Sequence, residues 1–186
     1  MADPRVERLA RVLVQYSTHI EPGDLVVIRG MPPAAPLLLA VYEEVLEAGG
    51  HPHLLVGLPG AEEAFFRLAS DDQLEFISPL QKMIVEEFDA LISIRSGTNT
   101  RELSGIDPAR QRHHNKAMAP LMKTYMQRGA TGELKWVGTQ YPTEAYAQEA
   151  DMSLREYENF VYAACFCDQE LSLIHISEPT RLGMIS

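Results

Sequence analysis

The sequence predicts an α/β fold, with a mostly parallel sheet of about four strands and helices on both faces. Two observations lead to this prediction: four short apolar runs of strand length recur along the chain, and a helical pattern separates each run from the next. Parallel strands need such crossovers, and strands covered on both faces are apolar throughout. With 186 residues, of which 46% are hydrophobic, one domain with one substantial core is expected.

The first quarter of the chain is predicted to form helix, strand, helix and strand. Asp3 and Pro4 have the character of an N-cap followed by a first-turn proline. The inner face of this first helix is predicted to hold Val6, Leu9, Ala10 and Leu13. Strands are predicted at 25–28 and 53–56, on either side of a helix at 36–48. The mostly inward residues of that helix are predicted to be Leu38, Leu39, Val41, Tyr42, Val45 and Leu46.

The middle of the chain is predicted to be helical up to a third strand at 90–94. Its helical pieces are 61–69, a second piece that opens at the capping box Ser70 to Gln73, and a turn that starts at Pro79. These short pieces are typical of a crossover between parallel strands. The polar loop after the third strand, Ser96-Gly97-Thr98, is predicted to be a tight turn rather than an anion-binding one.

The last part of the chain repeats the same signals. Asp107 and Pro108 predict the start of a long helix that reaches Arg128, with a bend allowed at Pro120. A fourth strand is predicted at 134–137 and a helix at 142–150. Ser153 and Glu156 form a second capping box and open a final helix. The inner face of that helix is predicted to hold Leu154, Tyr157, Val161 and Ala164.

Charge and hydropathy exclude several classes of partner. The chain has 16 Lys and Arg against 26 Asp and Glu, a net charge of −10, and such a surface repels nucleic acid and anionic membranes. Every apolar run is too short to cross a bilayer. Charges in the first turns do not fit a secretory signal, so we expect a cytoplasmic protein that binds neither nucleic acid nor membrane.

Candidate functional residues follow the predicted strands, because ligands of parallel sheets usually meet the carboxyl ends of the strands. Arg95, Asn99, Gln140 and Tyr141 end or follow strands, so we expect them to gather at one edge of the sheet, where they would face a substrate cavity. The alternative is that they cap neighbouring helices. No strand is followed by a glycine-rich nucleotide motif, so a dinucleotide site is not expected.

No set of residues predicts a metal site or a catalytic group by spacing alone. His51 and His53 flank a strand start and His113 and His114 are neighbours on a helix, but no third ligand completes either pair. Cys165 and Cys167 are predicted to be two partly buried thiols. We therefore predict that no residue of this chain is catalytic or binds metal.

Several segments together resemble the aminopeptidase T family of metallo-aminopeptidases. The most specific are WVGTQYPT from Trp136, YAQEA from Tyr146 and MSL from Met152; DPRVERLARVLVQYS, PGDLVVIRG and YENFVYAACF agree in order. The resemblance implies a hydrolase that removes N-terminal residues from peptides, uses two divalent ions of the zinc or cobalt class and works as a homodimer. It also implies metal ligands in a C-terminal domain that has no counterpart here.

The resemblance extends to about residue 170. Residues 171–181, LSLIHISEPTR, resemble a translated end of a sequencing-library transposase, so we expect residues 171–186 to be a non-native tail that packs poorly. Residues 1–170 are then expected to be the N-terminal α/β domain of a truncated aminopeptidase, inactive on its own. The alternatives are a stand-alone α/β module that binds a small ligand, and a regulatory or dimerisation fragment.

Overall fold

A four-stranded parallel sheet is the centre of the fold. The computed structural model describes residues 3–166, and its strands are β1 (Leu25–Gly30), β2 (His51–Val56), β3 (Ala90–Arg95) and β4 (Lys135–Gln140). The order across the sheet is β2-β1-β3-β4, and every neighbouring pair is parallel. The predicted α/β class and the parallel sheet are therefore confirmed. The predicted tail at 171–186 lies outside the described residues.

All four predicted strands are present, but each differs from its prediction at one boundary or both. Strand β2 begins at His51 rather than His53 and includes Pro52. A proline is tolerated there because β2 is an edge strand, where a missing N–H group is least costly. Strand β1 continues to Gly30, and β4 runs three residues beyond its predicted end because it follows β3 in register up to the pair of Arg95 with Gln140.

Helices connect the strands and cover the sheet. Their bounds are α1 (Pro4–Arg11), which continues as a π-helical turn (Val12–Ser17), α2 (Ala35–Glu47), α3 (Ala61–Leu68), α4 (Asp71–Glu75), α5 (Pro79–Glu87), α6 (Pro108–Thr131), α7 (Glu144–Glu149) and α8 (Leu154–Cys165). A short 3-10 turn (Pro32–Ala34) precedes α2. Helix α6 remains one helix through Pro120. Helix α7 begins at Glu144, not Pro142, because the Thr143 side chain caps it.

One face of the sheet, called here the covered face, is buried along its whole length. Its side chains from the central strands are Val26, Ile28, Ala90, Ile92 and Ile94. They pack against α1, α2 and Tyr162 of α8, with each of these side chains less than 5% exposed. The predicted inner residues of α1, namely Val6, Leu9, Ala10 and Leu13, are all buried in this core. This face supplies most of the apolar burial that stabilises the domain.

Three residues predicted to face inward are exposed. Leu39 and Leu46 of α2 are 56% and 52% exposed, because Leu37, Leu38, Val41 and Val45 form the helix face that meets the sheet. In α8, Ala164 is exposed, and Tyr162 is buried instead. In both helices apolar residues extend around more than one face, so the sequence pattern did not distinguish the inner face from its neighbours.

The second face of the sheet is covered only over its amino-terminal half. Val27, Leu91 and Leu134 are buried there beneath Ile84 of α5, Phe88 and the half-buried Tyr125 of α6. Together the two faces confirm that helices cover both sides of the sheet. The carboxyl-terminal half of this second face lies open, as described below.

The predicted helix caps are present. The side chains of Asp3 and Asp107 accept hydrogen bonds from backbone amides in the first turns of α1 and α6. Ser70 and Ser153 form complete capping boxes with Gln73 and Glu156. These caps fix where four helices begin, because each satisfies amides that the helix itself leaves without a partner. None of the helices within residues 3–166 combines the length and apolar character that crossing a membrane requires.

Candidate functional site

Three of the four predicted site residues lie side by side at the carboxyl edge of the sheet. Arg95 and Gln140 are the last residues of β3 and β4 and are paired in register. The Tyr141 amide continues the ladder by donating to the Arg95 carbonyl oxygen at 2.8 Å. This grouping follows from the parallel sheet, because parallel strands end on the same edge.

Two of these side chains are engaged in packing. Gln140 donates from Nε2 to the hydroxyl of Tyr157 on α8. Tyr141 is half-buried against the core of the covered face, and this burial raises the pKa of its hydroxyl above the ordinary value. Gln140 and Tyr141 thus connect the end of the sheet to α8 and to the core of the covered face.

Asn99 does not join this group. Its side-chain oxygen accepts a hydrogen bond from the Arg101 amide at 3.0 Å, which closes a local turn. The same loop is tied to α7 where Thr100 donates to Glu149 at 2.7 Å. Asn99 therefore stabilises the loop between β3 and α6.

The turn after β3 is also held by structural contacts. The Gly97 amide donates to the hydroxyl of Tyr146 at 3.0 Å, and its carbonyl oxygen accepts from Thr143 Oγ1 at 2.8 Å. The hydroxyl of the buried Ser96 donates to the Met31 carbonyl at 3.3 Å. Because the Gly97 amide is already bonded, it is not available to an anion.

The open half of the second face exposes polar side chains of the central strands. Arg29 and Arg95 are exposed there, Ser93 is half-buried, and Gly138 on β4 is exposed. A Cβ atom added to Gly138 would meet nothing within 4 Å, so space lies above the sheet at this point. Next to this surface, over the amino-terminal half of the same face, lies Tyr125 of α6. Burial raises the pKa of its hydroxyl, while the nearby charge of Arg29 opposes the rise.

Sequence reasoning found Arg95 but missed Arg29 and Ser93. The signal was present, because β1 and β3 read LVVIRG and ALISIR, and each ends its apolar run with Ile-Arg. An arginine that closes a central strand is unusual, since such strands are normally apolar on both faces. The pair of Ile-Arg dipeptides was therefore a sequence signal of an uncovered face at this end.

The histidines make local contacts and lie apart from this surface. His53 packs edge-on against Phe88, with ring centroids 5.2 Å apart. His114 Nδ1 lies 2.7 Å from the Leu74 carbonyl oxygen. His113 Nε2 lies 3.0 Å from a carboxylate oxygen of Glu75 but is not aligned for a hydrogen bond. These contacts place His53, His113 and His114 in the packing around α4, α6 and β2.

The described residues do not fit a metal centre. Within residues 3–166 no three or more His, Cys, Asp or Glu side chains converge closely enough to hold a metal ion. A catalytic metal needs at least three such ligands with an open position. Cys165 is half-buried beside the core of the covered face, and Cys167 lies outside the described residues.

Comparison with known proteins identifies similar sequences and folds. The family model of the thermophilic metalloproteases (M29) matches residues 2–173. Among solved structures, wild-type AmpT from Thermus thermophilus is similar, with a TM-score of 0.69 at 18% sequence identity. The similarity covers 92% of this chain and 45% of that chain, so this chain spans less than half the length of AmpT. No curated protein matches the chain. At this identity the likeness to AmpT shows a shared fold.

Proposed function

The chain belongs to the thermophilic metalloprotease (M29) family, and from that membership we propose that it is the N-terminal α/β domain of a metal-dependent aminopeptidase. The observation that carries the proposal is the family match over 172 consecutive positions, residues 2–173. The fold shared with AmpT supports it, because the similarity covers nearly all of this chain but less than half of that one. On this proposal the substrates are peptides that lose their N-terminal residues.

We place the metal ions of the intact enzyme outside this chain. The proposal assigns the two divalent ions, of the zinc or cobalt class, to residues with no counterpart here, because residues 3–166 offer no set of three converging ligands. The present domain then contributes no metal ligand, and by itself it neither binds catalytic metal nor cleaves peptides. Cytoplasmic residence and a homodimeric intact enzyme belong to the same proposal.

The domain's own contribution is a wall of the substrate cavity. Arg95, Gln140 and Tyr141 lie together at the carboxyl edge of the sheet, beside the open half of the second face. Of the three, Arg95 is exposed. We therefore propose Arg95 as the predicted residue that faces the cavity, with Gln140 and Tyr141 supporting the edge through their contacts with Tyr157 and the core. Asn99 is proposed to order the adjoining loop.

We also propose that the domain ends near residue 170 and that residues 171–186 are a non-native tail. The family match ends at residue 173, close to this boundary. Exposed apolar side chains support the proposal that further protein covers the domain. Eight large apolar residues that are 39–74% exposed fall between positions 54 and 83.

Two experiments test the proposal. Sequencing the genomic locus across codon 170 is expected to show an open reading frame that continues into a domain containing His and Glu residues, with the tail codons absent. Calorimetric titration of the chain with zinc and with cobalt, paired with an aminoacyl-anilide turnover assay, is expected to show neither tight binding nor turnover.

A native locus that encodes the same tail would refute the truncation and favour a stand-alone small-ligand module. Stoichiometric micromolar metal binding with chelator-sensitive turnover would refute the inactive domain.

A further inference from the structure

On the second face of the sheet, the amino-terminal half of both central strands is covered, whereas the carboxyl-terminal half is not. On β1, Val27 is 2% exposed whereas Arg29, two residues later on the same face, is exposed. On β3, Leu91 is 4% exposed whereas Arg95 is exposed. Central strands of a doubly covered sheet are normally buried on both faces, and ligands of parallel sheets bind beyond the carboxyl ends. The uncovered half is therefore where a ligand of this sheet would lie.

Arg29 and Arg95 are diagonal neighbours on this open surface. Arg29 is in register with Ser93, and Arg95 follows two residues later on the same face of β3. Strand spacing and residue rise place their Cα atoms about 8 Å apart. At that separation two guanidinium groups can reach the same small group, because each side chain extends several ångströms from the backbone.

Neither arginine is neutralised by an acidic partner. Among residues 3–166, neither forms an ion pair with a carboxylate, although the whole chain carries ten more acidic than basic residues. Some other cations of the domain are paired, such as Lys135 with Asp24 and Arg128 with Glu133. Two neighbouring cations without a counter-charge repel each other, and an anion bound between them would remove that repulsion.

One of the two side chains is already oriented. Arg29 donates from Nε to the Ser93 hydroxyl at 3.0 Å, which fixes its guanidinium along the surface and leaves both terminal nitrogens to donate elsewhere. Gly138 leaves open space beside the pair on the β4 side. A fixed guanidinium with two parallel donors matches the two oxygens of a carboxylate.

We propose that Arg29 and Arg95 form an oxyanion-binding site that takes a carboxylate group of a peptide. The oxyanion chemistry rests on the two arginines alone, whereas the choice of a peptide as its source rests on the proposed function. A carboxylate on a short peptide would bind both guanidinium groups and extend over Gly138. Inorganic phosphate shares the chemistry and serves as the second probe.

Titration of the full 186-residue chain tests the site. The probes are trialanine as the free acid, trialanine amide and inorganic phosphate, followed by NMR chemical shifts and calorimetry at low salt. The variants are Arg29→Gln, Arg95→Gln and Arg95→Lys. The last keeps the positive charge but removes the planar guanidinium group with its two parallel donors. The matched control is Arg11→Gln. Arg11 is exposed and belongs to α1, which lies on the opposite side of the sheet. Circular dichroism establishes that each variant is folded.

The free acid is expected to bind saturably, with at least tenfold weaker binding of the amide and of both Gln variants. The control should bind as the parent does, and Arg95→Lys should lie between. Absence of saturable binding by every probe, or equal binding by the Gln variants, would overturn the site. Binding of phosphate without the free acid would overturn the peptide assignment. Because no turnover is measured, these results are independent of the test of the aminopeptidase proposal.

Discussion

Lys135 and Asp24 form an ion pair across the amino-terminal end of the sheet, with Nζ 2.9 Å from Oδ2. Lys135 begins the edge strand β4, whereas Asp24 precedes the central strand β1, 111 positions earlier in the chain. The same Nζ donates to the His19 carbonyl oxygen at 2.9 Å. Both side chains are mostly buried, at 26% and 14% exposure, so water competes little for these contacts. One side chain thus ties the last strand to the turn that starts the first.

Replacing this lysine tests the contribution of the contact. Lys135→Met keeps the aliphatic stem and removes the donor, and we expect the free energy of unfolding to fall by about 1–2 kcal/mol. Chemical denaturation followed by circular dichroism measures the change. Lys82→Met is the control, because Lys82 is 60% exposed and lies 3.9 Å from Glu86. An equal loss in both variants would show that the buried geometry adds nothing to an exposed pair.

Helix caps were read correctly from the sequence, whereas some contacts between distant segments were not. Asp3 and Ser153 were predicted as caps because a cap depends on three or four consecutive residues. The meeting of Lys135 with Asp24 depends on the order of the strands, which no local pattern specifies. The outward position of Leu39 had the same cause, since it depends on which helix face meets the sheet.

The candidate site was predictable in part for the same reason. Arg95 and Gln140 could be placed together because parallel strands end on one edge, whatever their order. The proximity of Arg29 to Arg95 required knowing that β1 and β3 are neighbours. That α5 and α6 leave half of a sheet face open required the packing of whole helices, and no short segment encodes it.

Arg110 is expected to hold the segment of α3 and α4 against α6. Its Nε donates to the Phe66 carbonyl oxygen at 2.6 Å, and a terminal nitrogen donates to that of Ala69. These carbonyls belong to the end of α3, where a cation is favourable. In Arg110→Met we expect amides of residues 61–76 to exchange about tenfold faster, corresponding to about 1.4 kcal/mol. Hydrogen exchange by mass spectrometry measures this.

Arg112→Met provides the control for that measurement, because Arg112 is exposed on the same helix. Exchange in the segment 61–76 should remain at the parent rate in this variant. Unchanged exchange in Arg110→Met would contradict the assignment and indicate that the buried Phe66 and Leu74 hold the segment without the arginine.

Buried tyrosines predict a loss of stability at alkaline pH. Burial raises the pKa of Tyr125, Tyr141, Tyr157 and, most strongly, Tyr162. The ordinary pKa of tyrosine is about 10, so below this pH both the folded and the unfolded chain keep these protons. The contribution of the buried tyrosines to stability is then fully present. As the pH rises above about 10, the unfolded chain releases protons that the folded chain retains, and stability falls.

Tyr162→Phe removes the largest single contribution to this pH dependence. Tyr162 is 4% exposed and lies beneath the guanidinium of Arg5. Relative to the parent, the slope of stability against pH above 10 should lessen by up to about 1.4 kcal/mol per pH unit. Denaturation at a series of pH values between 8 and about 11 measures the slope. The exposed Tyr16→Phe serves as control. Parallel profiles for the parent and Tyr162→Phe would contradict the prediction.

The exposed apolar flank of the domain predicts self-association of the chain. We define the flank as the exposed surface around Leu68, at the end of α3, and Phe76, just after α4. Leu68 and Phe76 are 74% and 63% exposed and border an open cavity of about 710 Å³ between α3 and α4. So large an exposed apolar surface favours burial against a second copy when nothing else covers it.

Sedimentation velocity over a concentration series measures this association. The weight-average mass of the parent is expected to rise with concentration. The double variant Leu68→Ser with Phe76→Ser should remain monomeric at concentrations about tenfold higher. The reason is that each substitution removes apolar area worth about 1 kcal/mol or more on burial. The matched control is Leu39→Ser with Leu46→Ser, two leucines of α2 that are 56% and 52% exposed but lie outside the flank. If apolar exposure anywhere on the surface drove association, both double variants would reduce it equally. A larger effect at Leu68 and Phe76 instead locates the contact on the flank, and a parent that stays monomeric throughout would contradict the prediction.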